Sequence, residues 1–412
     1  MLKYHVNYFK LKKRLSLVLI NSGRNIVPLA LNSLISFLVI KFSSFSVWGE
    51  LVSYIIIINL CTQLVGWGSK QYLLREFSLD DSKVSTNWSE NVKARVPLLI
   101  IVLLIILLLR IPEDFKFMLV FWQIIIFINR SYEVLILYFK KMKFFLLMEI
   151  MLSLISISIV IVSNKNITVR LVLFVFVVIE FIRLLILGMY FNKKVLYNFT
   201  ASINLKILSA GFIFFLLGTI GMLQSRLDLY FVALLLHKNE LAVYQILINY
   251  ILLIQAATGF IIQPYLKEIY RMNHRTLSKY SFRFTLFGLI ISVPITFSLA
   301  FILEKIYGID ISWNIIFLSY LYIVPIFYYT IRVYVLYKIK KESLILITGI
   351  SVLVLSIPLN FFLISIFKIN GALFAGVIGE LLSLSFYFFF EKKVGLINGA
   401  KSINKQIEIS QP

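Results

Sequence analysis

Cysteine, histidine and acidic residues are scarce in this 412-residue chain, and each shortage removes a class of function. The single cysteine, Cys61, excludes an intrachain disulfide and a cysteine-based metal site. The three histidines, His5, His237 and His274, lie far apart, and none falls in an apolar segment. No HExxH, phosphate-binding loop or nucleophile elbow is present, so no cofactor, metal or enzymatic chemistry is implied. Long polar segments are also missing. What remains is 60% hydrophobic and only 15% charged, with a mean hydropathy of +0.93, the composition of a polytopic membrane protein.

Twelve apolar segments can be read, at about 15–40, 48–72, 96–111, 117–137, 144–163, 169–191, 207–235, 241–265, 284–303, 312–336, 342–367 and 371–390. The third is short, and it is separated from the fourth by a break around Pro112. The basic N-terminus followed by an apolar run resembles a signal peptide. The run is too long and lacks a small-x-small cleavage site, so an uncleaved first span is expected.

The net charge of +22 would suggest nucleic acid in a soluble protein. Here it follows topology instead, and no nucleic-acid partner is expected. With the N-terminus and every even-to-odd connection on one side, only Lys41, Arg110, Lys116, Lys165, Arg170, Lys238, Lys305 and Lys368 fall on the other. Apart from five arginines inside spans, the remaining Lys and Arg share the first side, so both termini are expected to be cytoplasmic. The connections on the opposite side are short, which confines function to the bundle.

Those five arginines are the candidates for that function. Arg24 lies ten residues past Arg14, about 15 Å deeper along a helix. Pro28 cannot donate to the Arg24 carbonyl, so a kink is expected beside a buried cation. An arginine at this depth needs water, a partner or a ligand. Arg226 follows a polar string, Gly218, Thr219, Gly221, Gln224 and Ser225. Asp228, two residues on, points to nearly the opposite side of the helix and does not pair with it. Arg226 therefore either faces a cavity or pairs with a group on another helix, and Asp228 is a candidate for ion or proton coupling. Arg130 with Glu133, and Glu180 with Arg183, are i, i+3 pairs expected to neutralise each other, with ligand binding or coupling as the alternative. Arg332 is six residues from Lys338 and within reach of the headgroups. Glu380 is deep in the last span without a local partner, a coupling or pairing candidate. Pro294, Pro325 and Pro358 predict bends in spans nine to eleven, and span ten is rich in tyrosine.

A weak internal repeat relates YLLREFS (Tyr72 to Ser78) to YLKEIYR (Tyr265 to Arg271), half a chain apart. Each copy follows a helix with a polar face at i, i+4: Asn59 and Gln63 in span two, Gln245 and Asn249 in span eight. Parallel repeats around a midplane cavity are a transporter plan. The expectation is an all-α integral membrane protein of about twelve transmembrane helices in two pseudo-symmetric six-helix lobes, 1–200 and 201–391, with a basic cytoplasmic tail, 392–412.

The run from Val47 to Ser78 carries Trp48-Gly49, Gly66-Trp67-Gly68 and Arg75-Glu76. It resembles the first helical hairpin of polysaccharide exporters. The stretch Ser225 to Tyr244 resembles the Arg-x-Asp pattern and the acidic-x-x-x-Tyr start of the next span, and Ile369 to Glu380 resembles the Gly-Ala-rich start of the last core helix. By span count and topology the chain resembles the Wzx-type lipid-linked oligosaccharide flippases of the multidrug/oligosaccharidyl-lipid/polysaccharide exporter superfamily. One departure is Ala242, where Gly-x-Tyr is more usual before Tyr244. The resemblance implies two lobes forming a V around a central cavity, with alternating access. It also implies a bacterial inner-membrane location, an undecaprenyl-diphosphate-linked glycan as substrate, and a polysaccharide polymerase and chain-length regulator as partners in surface polysaccharide (O-antigen, lipopolysaccharide or capsule) biosynthesis. Arginines hold phosphate bidentately and stay charged at any depth, which suits a diphosphate. A drug or cation exporter of the same superfamily needs acids in its cavity, typically one in span one, where this chain carries Arg24. A membrane glycan polymerase or glycosyltransferase commonly needs a large outer loop, and the segment pattern leaves no room for one.

Overall fold

The computed structural model describes Val27, residues 30–192, Val195, Tyr197, residues 204–262, Ile269, Met272, and residues 274–338 and 341–393. Arg24, Pro28, most of the second repeat copy and the basic tail beyond Lys393 lie outside the described residues. The chain is all-helical among the described residues: α1 (Ala30–Phe42), α2 (Phe45–Gly66), α3 (Ser69–Leu79), α4 (Val84–Leu108), α5 (Glu113–Tyr138), α6 (Met142–Ser163), α7 (Val169–Phe191), α8 (Lys206–Leu235), α9 (Lys238–Ile262), α10 (His274–Phe301) and α11 (Trp313–Lys338). The last helical stretch, Glu342–Lys393, turns at Lys368 (φ 52, ψ −127) and forms two arms, α12 (342–367) and α13 (369–393). Nine helices among the described residues are long and apolar enough to cross a membrane, one of them this folded pair. The full count of twelve is not reached within the described residues.

Local chemistry sets the ends. Ser44 and Thr168 accept from Val47 N–H (3.3 Å) and Leu171 N–H (3.2 Å), capping α2 and α7. Pro112 stands before Glu113 and starts α5, which confirms the break after the third span. Pro294, Pro325 and Pro358 all sit inside helices, and a π-helical turn at Ile302–Ile306 follows α10.

Two sequence boundaries need correction. Span two does not run unbroken to residue 72. It stops at Gly66, and Trp67 (φ 44) and Gly68 (φ 64), both left-handed, turn the chain into α3. The elbow is held by α8: the Trp67 indole N–H donates to the Leu208 carbonyl at 2.8 Å, and its ring stacks on Phe215 at 4.3 Å. A Cβ on Gly68 would lie 2.6 Å from the Phe215 nitrogen and 2.7 Å from the Gly211 oxygen, backbone atoms that cannot move aside cheaply. Gly68→Ala is therefore expected to cost about 1–3 kcal/mol from strain and crowding. A lowered thermal midpoint in detergent would show it, and an unchanged midpoint would contradict the close approach.

Span three begins not near residue 96 but at Val84. Lys93 and Arg95, assigned above to a connection, lie within α4. The charges between 83 and 95 depress local hydropathy, yet Val84, Trp88, Asn91 and Arg95, spaced i, i+4, i+7, i+11, are all buried on one face. Trp88 anchors this face by donating to the Ser131 carbonyl at 2.8 Å. Around it Leu73, Phe77, Tyr132, Leu135 and Phe191 form a core shared by α3, α4, α5 and α7. Outward positions such as Ile100, Leu104, Phe121 and Phe174 are exposed and apolar, as a lipid solvent requires.

The helices gather into two compact units that meet along the chain at Met222 and Leu223, inside α8. The early part of α8 packs on the Trp67 elbow, while its later part, from Leu223 on, bonds to α9 and α11. The division falls within α8.

Candidate functional site

The second unit carries three polar nodes built on α8, α9, α11 and α13. Arg226, half-buried on α8, donates through Nη1 to Asn249 Oδ1 on α9 at 2.8 Å. Asn249 belongs to the polar face read from the sequence, so this half of the repeat has a clear task. No carboxylate comes within ion-pair distance of Arg226 among the described residues. Asp228 acts on it only through space. A guanidinium has five N–H donors, and one is satisfied here by a neutral amide.

Asp228 is buried, 4% exposed. It accepts from the Leu229 N–H (2.7 Å), the Tyr244 hydroxyl and the Tyr322 hydroxyl (3.3 Å). Tyr244, matched above only by resemblance, thus has a structural reason to be tyrosine. Gly376 on α13 allows the Tyr322 ring to lie against the helix backbone: a Cβ there would sit 2.5 Å from Tyr322 Cε1. Gly376→Ala is expected to push Tyr322 off Asp228 and to lower the thermal midpoint by more than Gly379→Ala. A Cβ on Gly379 meets only the Ser356 hydroxyl, at 3.4 Å. Equal midpoints for the two variants would contradict this packing.

Glu380, which has no partner on its own helix, accepts from Gln255 Nε2 (3.1 Å) and the Tyr329 hydroxyl (2.6 Å), with Tyr387 stacked on Tyr329 at 5.5 Å. The tyrosines of span ten therefore serve partly as hydrogen-bond donors to carboxylates within the helices, Asp228 and Glu380. Arg332 does not simply reach for headgroups: it donates to Ser281 Oγ at 3.1 Å and lies over the Tyr328 ring.

In the first unit Arg130 and Arg183 are bound to carboxylates. Arg130 pairs with Glu133, which Lys70 approaches at 3.6 Å. Arg183 pairs with Glu180 on its own helix and, at 2.7 Å, with Glu149 on α6. Asn129 Nδ2 donates to Glu180 Oε2 at 2.7 Å and to its carbonyl at 2.9 Å. The three cations and three carboxylates balance. Sequence reasoning missed Glu149, because only tertiary packing brings α6 to Arg183. It also missed Arg95, 1% exposed and held by Ser131 Oγ (2.8 Å), the Asn91 carbonyl (3.3 Å) and the Phe127 ring (5.1 Å). Among the described residues, no group of three or more His, Cys, Asp or Glu is placed to hold a metal.

No family model and no curated protein sequence matches the chain. Solved structures do. A lipid II flippase, MurJ, in an inward closed conformation is similar with a TM-score of 0.71 at 14% identity, over 90% of this chain and 86% of that one. An inward-facing multidrug resistance transporter of the MATE family, within the MOP superfamily, gives 0.66 at 12% identity, over 92% and 99%. A MOP superfamily transporter from Pyrococcus furiosus gives 0.52 at 13%, over 94% and 96%. At these identities the likeness is one of fold: the chain is a multi-pass, all-helical membrane protein similar in fold to transporters of the MOP superfamily.

Proposed function

We propose that the protein is a flippase that moves a polyprenyl-diphosphate-linked oligosaccharide repeat unit across the bacterial inner membrane. In this reading twelve spans form two six-helix lobes with both termini cytoplasmic, and the cycle is one of alternating access. Arg226 and Arg24 hold the diphosphate. The observation that carries the proposal is Arg226, a cation within an apolar helix, bonded to a neutral amide and, among the described residues, to no carboxylate. Such a group is costly in a bilayer unless an anion visits it, and a diphosphate accepts two parallel N–H bonds from one guanidinium. The similarity in fold to a lipid II flippase supports a lipid-linked substrate. Arg130 and Arg183 are left to hold the first unit together, with Glu133 and Glu180 as their counterions. Asp228 and Glu380, each wrapped by hydroxyl or amide donors, are the groups through which an ion or proton would couple.

Those two acids within apolar helices also favour a second reading, a multidrug or cation exporter. Proteoliposomes separate the two. The flippase reading expects the headgroup of a polyprenyl-diphosphate oligosaccharide to become accessible from the opposite leaflet. Uptake of an organic cation without any lipid movement would overturn it.

A further inference from the structure

The polar face of α2 has no part in the ion pairs of the first unit. Asn59 and Gln63 stand one turn apart on it. Gln63 Nε2 donates to Thr219 Oγ1 on α8 at 3.2 Å, and space is open beside Gly66, where a Cβ would meet nothing within 4 Å. Asn59 is exposed and bonds to no described residue. Elsewhere in the unit most exposed positions of the helix centres are apolar, as at Phe121 on α5, Met151 and Leu154 on α6, and Phe174 and Phe181 on α7, with the ion-paired Arg130 and the small Ser158 exposed beside them. Those faces meet lipid. An exposed carboxamide in the isoleucine-rich middle of α2 would lose its hydrogen bonds there, so this face turns toward water or a polar ligand.

The chemistry of the face selects the ligand. Asn59, Gln63 and Thr219 are neutral, and each offers both donor and acceptor atoms. A phosphate would call for cations and a polyprenyl chain for apolar side chains. Sugar hydroxyls, which donate and accept in turn, match amides and a threonine. We propose that Asn59, Gln63 and Thr219 contact neutral hydroxyls of the carried glycan, and so set a preference for glycosylated over bare lipid diphosphate. This inference rests on the flippase reading.

The test uses the full chain in proteoliposomes with two probes, undecaprenyl diphosphate and the same lipid bearing a neutral oligosaccharide. Asn59→Leu and Gln63→Leu are each expected to slow movement of the glycosylated lipid about tenfold, the loss of one net hydrogen bond, and to leave the bare lipid unchanged. Gln63→Asn is expected to retain part of the preference. Asn59 is exposed, so its leucine variant keeps the packing of α2. Equal slowing of both lipids, or of neither, overturns the inference while leaving the flippase reading intact. Failure of the unsubstituted chain to move either lipid overturns the flippase reading itself.

Discussion

Arg226→Ala is expected to slow flipping of a polyprenyl-diphosphate-linked glycan about a hundredfold without unfolding the protein. Among the described residues the side chain makes one hydrogen bond, to Asn249, and no ion pair, so its removal breaks no described salt bridge. Folding should therefore lose no more than about 1.5–3 kcal/mol, the net worth of one bond to a charged group. Transport loses more. Two charge-assisted bonds to a diphosphate contribute about 1.5–3 kcal/mol each, and every 1.4 kcal/mol is tenfold. Arg226→Lys should recover part of the rate, because it restores the charge but not the planar fork. Arg226→Gln should not. Flipping rates measured beside thermal midpoints check this: a variant that keeps its rate, or loses rate and midpoint together, contradicts the assignment.

The second large effect is on stability and lies in the first unit. Arg183 is shared between Glu149 and Glu180, and truncating it leaves two carboxylates without their cation inside the bundle. Breaking a buried pair from one side costs about 3–5 kcal/mol. Arg183→Met is therefore expected to lower the yield of folded protein sharply. Adding Glu149→Gln and Glu180→Gln should restore it, since a neutral set has no charge to strand. Full recovery of folded protein together with glycan transport would show that the network is structural. Recovery of folded protein with transport still absent would show that Arg183 also meets substrate.

Much of this was readable from residues alone, for a definite physical reason. A bilayer admits only long apolar helices, so the segments and the break at Pro112 stand out in composition. The pairs Arg130–Glu133 and Glu180–Arg183 were legible because i, i+3 spacing fixes neighbours before any tertiary contact exists. The polar faces at Gln63 and Asn249 were legible for the same reason, but their partners, Thr219 and Arg226, were not. Arg95 escaped because hydropathy averages over a turn in which Lys93 and Glu90 face elsewhere, while Ser131 and the Phe127 ring hold one cation in the core. The elbow at Trp67-Gly68 fell inside a span read as running to residue 72, although its two glycines stood in the resemblance to the exporters. Its sharpness depends on Phe215, far away in sequence.

Binding of a short-chain prenyl diphosphate to the purified protein, followed by calorimetry, tests the central claim most directly. The account expects saturable binding that weakens at least tenfold in Arg226→Gln and persists in Arg332→Gln, whose arginine is held by Ser281 and Tyr328. Equal binding by the unsubstituted protein and Arg226→Gln, or no binding by either, would contradict it.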